Sequence, residues 1–453
     1  MSLFNVLSIA RDGVLTHTGA LNVTGQNVAG ASTPGYVRRT AVIESVAGGG
    51  VMLAGSRRAF DRFTYAQLVD QEGRLSADRT RAGAASRIEA LVSPQTSHLG
   101  ERVEALFDAV HELALHPSDL AVRSAVLARA EWVAAGVSET ADGLERLRAD
   151  LYTTAVDTAG EINSRLSRIA ETDQTIIAAR GRGEDVSDLL DRRDQLVREI
   201  GERVDVRVID NARGGVTLFG AGTVLYDGDR AATLDVSLDA AGALRVQSTR
   251  GGLSVDVTRG IQGGTLAGLR DARDADIPGV LSSLDAFARD FSVAINSIHE
   301  AGFGLDGAGG RALFTVPPAG AGAAHAMRVD PSMVGRPERV AAAGSPDDVP
   351  GGNDVAVSLT GLSHASLPGG GTVSERYAAL AGRVGMMRAE AEGQARLRED
   401  TVATAAALRE SASGVSTDEE MISLQQLQRG FEACARVLRV VDELFDTLMS
   451  SVR

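Results

Sequence analysis

Few residues of this 453-residue chain are of a type that does covalent chemistry, and their spacing does not favour it. There are seven histidines and one cysteine. His111 and His116 lie five apart, so they do not share a helix face as a metal pair at i, i+4 does. Glu419 and Glu420 are paired carboxylates, the residue type of general acid–base work. They stand in the first turn of a predicted helix, where acids offset the positive end of the macrodipole. Cys434 falls on an apolar helical seam and reads as a small packed residue, not a nucleophile. Gly302, Gly304 and Gly307 spell G-x-G-x-x-G, but the motif follows a helical pattern and opens no helix, so it reads as a turn. The pairs Arg57-Arg58 and Arg192-Arg193 lie among acids and read as solvated faces. No P-loop, G-x-S-x-G or H-E-x-x-H pattern occurs. The residues point to no catalytic centre, no metal and no cofactor, and so to a structural protein and not an enzyme.

Composition narrows this further. The net charge of −14 opposes binding to phosphate backbones, so no nucleic-acid partner is expected. No apolar run approaches the ~18 residues of a membrane-spanning helix, so no membrane insertion is expected. One cysteine cannot form an internal disulfide. The start of the chain is apolar but has no basic leader and no A-x-A cleavage site, which predicts either a cytoplasmic protein or export without a cleaved signal peptide.

Periodicity places these residues on elements. Leu3, Leu7, Ala10, Val14, His17, Leu21, Thr24 and Val28 follow alternating steps of four and three, a heptad seam. Gly30 and Pro34-Gly35 end it. At the other end Leu427, Phe431, Cys434, Leu438, Val441, Phe445, Leu448 and Val452 keep the same steps. Ser416 and Glu419 form a capping-box pattern before them. A narrow apolar stripe must be buried against another helix, so the two ends pair with each other. Residues 65–203 are predicted helical, the period drops to two over 204–258, and helical spacing returns at 284–298. The expected fold is α+β and mainly α. Residues 1–36 with 416–453 form paired terminal heptad helices. Residues 37–203 with 259–301 and 372–415 form a discontinuous, mainly helical domain. Residues 204–258 form a small antiparallel β unit, and 302–371 a Gly/Pro-rich loop or reduced outer domain.

Several blocks then carry a family resemblance. Residues 20–29 followed by Thr33, Pro34, Gly35, Tyr36, Val37, Arg38 and Arg39 resemble the N-terminal signature of bacterial flagellar axial proteins. Residues 188–196, with Asp191, Arg193 and Asp194, are similar to the N-D-L-L-D-x-R-D-x-L segment of the FlgK family of hook–filament junction proteins. Asn296 and His299 fall in a stretch similar to that family's N-x-x-H-x-x-G segment, and residues 413–420 and 445–448 resemble its C-terminal end. The resemblance implies a structural axial protein of the flagellum that joins hook to filament. It implies as partners a homo-oligomeric ring, the hook protein, the second junction protein, an export chaperone at the C-terminal region and the type III export apparatus. It implies an extracellular place at the junction, reached without signal-peptide cleavage. Assembly is assigned to the seam residues Leu3, Leu7, Val14, Leu21, Val28, Leu427, Phe431, Cys434, Leu438, Val441, Phe445 and Leu448. Asn27 joins Thr33–Tyr36, Arg38 and Arg39 as motif residues. Another axial component is the nearest alternative, ahead of a rod-associated wall hydrolase or a cytoplasmic coiled-coil scaffold. Three departures stand out: Gly30 where the family usually has Asn, Gly430 inside the last helix, and a short 302–371 region.

Overall fold

The computed structural model describes residues 3–47, 49–94, 98–210, 215–228, 230–315 and 322–451, so the seam position Val452 lies outside the described residues. Helix α1 (Leu3–Gly30) leads into a two-stranded hairpin, β1 (Arg39–Ser45) and β2 (Val51–Arg58). Four helices follow: α2 (Arg62–Val92), α3 (Leu99–Leu115), α4 (Leu120–Gly181) and α5 (Ser187–Gly201). Six strands come next. β3 (Val206–Asp210), β4 (Val216–Gly220) and β5 (Thr223–Tyr226) form one antiparallel sheet, and β6 (Thr233–Leu238), β7 (Leu244–Arg250) and β8 (Leu253–Asp256) another. The chain returns to helix in α6 (Gly264–Asp271), α7 (Ile277–His299), and the short α8 (Ala323–Ala326) and α9 (Asp354–Gly361). It ends in α10 (Val373–Ser413) and α11 (Thr417–Ser451). With 66% helix and 12% strand in small antiparallel sheets, the fold is α+β and mainly α.

The body is organised by α4, whose 62 residues span roughly 90 Å at 1.5 Å per residue. Its heptad positions Ile162, Leu166, Ile169 and Ile176 are fully buried. Asp119 caps its start by accepting from the Ala121 N–H. Helix α2 packs along α10, which opens with a complete capping box between Thr372 and Glu375. In the β unit the alternation places Val206, Val216, Leu218, Leu234, Val236, Leu244 and Val246 inside. It fails at β8, where Leu253 and Val255 are exposed, because an edge strand lying beyond the helices has nothing on either face.

Two features differ from the sequence expectation. Residues 39–58, within a stretch expected to be mainly helical, are the β1–β2 hairpin. The stretch 302–371 has little regular structure among its described residues, yet it packs against α3, α4 and α7 and buries Phe314, Val340, Ala342 and Ala356 completely. Its backbone polar groups are paired by scattered backbone bonds and isolated bridges and, in part, by side chains. The Asn296 amide oxygen accepts from the N–H groups of Leu313 (3.0 Å) and Phe314 (2.9 Å), and its NH2 donates to the Phe314 carbonyl (2.7 Å). His299 Nε2 accepts from the Ala341 N–H (3.0 Å), so the ring proton sits on Nδ1, which donates to the Arg311 carbonyl (2.7 Å). Buried Arg123 donates to the carbonyls of Pro117 and Val340. The G-x-G-x-x-G stretch is a turn, closed by Gly307 N–H to the Gly304 carbonyl and pressed against Glu338 and Ala341.

Burial lowers the His299 pKa from 6.5 to about 4. Above pH ~6.5 the ring is neutral folded or unfolded. Between there and pH ~4 only the unfolded chain takes up the proton, so stability falls by on the order of 3 kcal/mol from this group. Urea unfolding at pH 7 and pH 4 should show His299→Gln less stable than the parent at pH 7, but with a smaller acid-side loss. An unchanged difference between the two pH values would show that His299 does not titrate in this way.

Candidate functional site: the terminal helix pair and its polar joint

Helices α1 and α11 pack antiparallel along their length. The rings of Phe4 and Phe445 lie 5.2 Å apart, Gly13 meets Cys434, His17 meets Gly430, and Asn27 meets Glu420. Two of these contacts are reciprocal notches. A Cβ on Gly13 would lie 2.7 Å from Cys434 Sγ, and a Cβ on Gly430 would lie 2.6 Å from His17 Cε1. A glycine inside a helix destabilises it by ~1 kcal/mol relative to Ala. Here that makes room for the partner's side chain, which accounts for Gly430.

A third element covers the other side of α1. The hairpin lies along it, with Thr16 Oγ1 donating to the Val51 carbonyl (2.9 Å) and Leu53 filling the space above Gly19, where a Cβ would lie 2.5 Å from Leu53 Cδ2. The buried stripe of α1 is therefore Ala10, Gly13, Thr16, Ala20, Thr24 and Asn27, small or short residues that allow close approach on two sides. The predicted seam residues Leu3, Leu7, Val14, Leu21 and Val28 flank this stripe and stay half-buried. On α11, Leu427, Phe431, Cys434, Leu438 and Phe445 are half-buried and Val441 is buried. Leu448 is 48% exposed, because the register carries it past Leu3.

Where the pair meets the body, three of the motif blocks converge. Residues Thr33–Tyr36 make a tight turn, with Pro34 at its second position, Gly35 at φ +86° and Tyr36 N–H on the Thr33 carbonyl (3.1 Å). The turn lays the Tyr36 ring over Gly30, where a Cβ would lie 2.6 Å from the ring, so a larger residue at position 30 would push the ring aside. Asn27, 1% exposed, uses its whole side chain. Its oxygen accepts from Tyr36 OH (3.0 Å) and Arg39 N–H (2.9 Å), and its NH2 donates to the Arg39 carbonyl (2.8 Å) and Glu420 Oε2 (2.9 Å). Burial raises the Tyr36 pKa against the opposing pull of Arg39, whose guanidinium lies 5.0 Å over the ring, so the hydroxyl stays a donor. Arg38 Nε donates to Glu420 Oε1 (2.7 Å), and its NH1 lies 3.4 Å from Glu419. The Ser416–Glu419 cap is made at 3.4 Å.

Beyond this hub lie the arginines of the hairpin and the acids of α5. Arg39 pairs with Asp188 and Asp191, and Arg58 with Asp191 and Asp194. Arg193 pairs with fully buried Asp173 (3.0 Å), which also accepts the Val216 N–H (3.1 Å) and so ties β4 to the helices. Burial raises the Asp194 pKa even with Arg58 and Arg193 beside it. Solvated faces were expected for both arginine pairs. Arg57 and Arg192 are exposed, but Arg58 and Arg193 point inward, since neighbours in a strand or helix face different sides. Asn296 and His299 lie outside this joint, anchoring the 302–371 stretch. Sequence reasoning missed Arg58, Asp188 and Glu420 as members. Asp188 and Glu420 sit in helix first turns, which already explains an acid, and Arg58 belongs to an unexpected hairpin. Among the described residues no group of three or more His, Cys, Asp or Glu side chains is placed to hold a metal. The arrangement clamps chain segments together.

The Gly13 notch supplies a direct test. Its Cβ position lies 3.6 Å from Cys434 Cβ, inside the ~3.5–4.5 Å range of disulfides. Gly13→Cys should oxidise with Cys434, the only native cysteine, to an intrachain bond that shifts the monomer band on a non-reducing gel. Failure to cross-link under oxidising conditions would contradict this register.

Comparison with known proteins agrees with the geometry. The model of the flagellar hook-associated protein FlgK helical domain matches residues 85–314, half of the chain, and that of the flagellar basal body rod FlgEFG protein C-terminal matches 409–451. The flagellar hook-associated protein 1 of Bacillus subtilis is 27% identical over 508 residues, covering 100% of this chain and 99% of the relative. That of Salmonella typhimurium is 27% identical over 329 residues, 69% of this chain and 59% of the relative, so this chain spans about three fifths of it. The solved flagellar hook junction protein FlgK of Burkholderia pseudomallei shares the fold, with TM-score 0.51, 22% identity, and coverage of 55% of this chain and 46% of that one. The chain belongs to the FlgK family of flagellar hook-associated proteins, structural proteins of the hook–filament junction.

Proposed function

We propose that the α1–α11 pair is the axial element through which this protein joins hook to filament, in a ring of its own copies. The observation that supports this is the exposure of α11. Among the described side chains of its 35 residues only Glu420 and Val441 are buried. Met421, Ile422, Val437, Val440, Leu444 and Met449 are 41–71% exposed, and on α1 Phe4 and Leu15 are 71% and 64% exposed. Val437, Val440 and Leu444 recur at helical spacing on one side of α11, and exposed apolar surface of this kind marks an interaction site. Burying six such side chains would contribute on the order of 10 kcal/mol before the entropy of association is subtracted. Neighbouring copies, the hook protein and the second junction protein are the partners that cover this surface, and an export chaperone covers the C-terminal region beforehand. The protein acts structurally and reaches the outside through the type III apparatus with its N-terminus uncleaved. No helix of the described residues is long and apolar enough to cross a membrane.

The two faces of α11 make the reading testable. Leu438→Asp strikes the face toward α1 and should loosen the pair itself. Leu444→Asp strikes the outer face and should leave the helicity of the purified chain unchanged. In cells whose only copy is Leu444→Asp, electron microscopy should show hooks without filaments. Normal filaments from Leu444→Asp combined with Val440→Asp would sink the proposal.

A further inference from the structure

The apolar core of the body stops short of the terminal unit. Its contiguous cluster of buried side chains and their packed neighbours runs from Phe60 to Met387 and includes no residue of α1, the hairpin or α11. The described bonds across the boundary are polar. Arg38 N–H donates to the Ser413 carbonyl (3.0 Å), Ser56 Oγ donates to Asp185 (2.6 Å), and the two hairpin arginines reach the acids of α5.

Each half of that contact is unfavourable alone. Arg39 and Arg58 are directly opposed in the β1–β2 register, and like charges across a strand pair repel. Asp188, Asp191 and Asp194 recur every three residues on one face of α5, and like charges at that spacing also repel. Docked together, the two sets neutralise each other. Asp191 is the shared member. Its Oδ2 lies 3.2 Å from Arg39 and its Oδ1 2.5 Å from Arg58, so one carboxylate holds both strands. All three side chains are nearly dry, at 13%, 4% and 10% exposure. Without Asp191, the only acid paired with Arg39 would be Asp188, which is 88% exposed, and an exposed pair holds weakly.

We infer that Asp191 is a positioning residue that fixes the orientation of the terminal helix pair relative to the body, its carboxylate gripping both hairpin strands at once. This rests on the reading of that pair as the axial element. A subunit whose axial element swings freely loses orientational freedom on entering a ring; one that is held in place has already lost it.

The test uses the full purified chain as a monomer. Nitroxide labels go on Glu432→Cys in α11 and Ser164→Cys in α4, both exposed, in a Cys434→Ala background. Electron-electron resonance should give one narrow distance distribution for the parent. Asp191→Asn should broaden it about twofold or more, while Asp191→Glu keeps a width near the parent's and the main melting transition of the body stays in place. An unbroadened Asp191→Asn overturns the inference, and so does equal broadening by Asp191→Glu, which retains the carboxylate. Since no assembly is involved, failure here leaves the junction role standing, and failure of the filament assay leaves this measurement valid.

Discussion

Asn27 closes the structure at the one place where the end of α1, the start of the hairpin and the start of α11 meet. A primary amide offers two donors and two acceptor positions, and all four are used on separate groups. No other side chain of that size presents both kinds of partner in one plane. A carboxylate could not donate to Glu420, and an aliphatic residue would strand the Arg39 backbone and a buried carboxylate together. Unpaired buried polar groups cost more than made ones return, so the hub is satisfied as a whole or is unfavourable as a whole. Its closure aims Arg38 at α11 and Arg39 at α5, and so sets both the register of the helix pair and its attachment to the body.

The same constraint explains why small residues line α1. A helix held between a second helix and a hairpin can meet both only if its side chains are short along the buried stripe. Gly13 and Gly430 then serve as sockets for Cys434 and His17. The large apolar residues are displaced to the flanks, where this chain alone covers them halfway. A monomer built this way is pre-paired but not saturated, its larger leucines and valines only partly covered.

This shows what the sequence could and could not convey. Heptad steps located α1 and α11 and their pairing, because both depend on residues of one segment. They named the apolar seam as the buried face, but on α1 the most buried stripe is the neighbouring row of small residues, because a third element packs there too. The hairpin was illegible for a local reason: in β1, Val42 and Ile43 are adjacent at a register shift, and in β2 the apolar run Val51-Met52-Leu53-Ala54 does not alternate with polar residues. Without clean alternation the period-two signal vanishes. The motif blocks were legible as a resemblance but mute as to role. Asp191 and Arg39 are 152 positions apart, and nothing local says that they touch. Asn296 and His299 carry the same motif status yet do different work, supplying hydrogen bonds to a stretch that has almost no sheet of its own.

Charge distribution gives the remaining logic. The chain is acidic overall, but its sign is not uniform. Residues 3–58 carry five arginines against two carboxylates, whereas α11 carries seven carboxylates against three arginines. The N-terminal unit is thus the basic piece, and its buried charge contacts run outward to acids on α11 and α5. All of the basic residues in the chain are arginine. Arg39 and Arg58 each bridge two carboxylates at once through a single terminal nitrogen, Nη2. The continuous apolar core of the body and the ionic contacts of the joint are built from different residues, so stability of the body and orientation of the pair rest on different side chains. Substitutions in the core are then free to change one without the other.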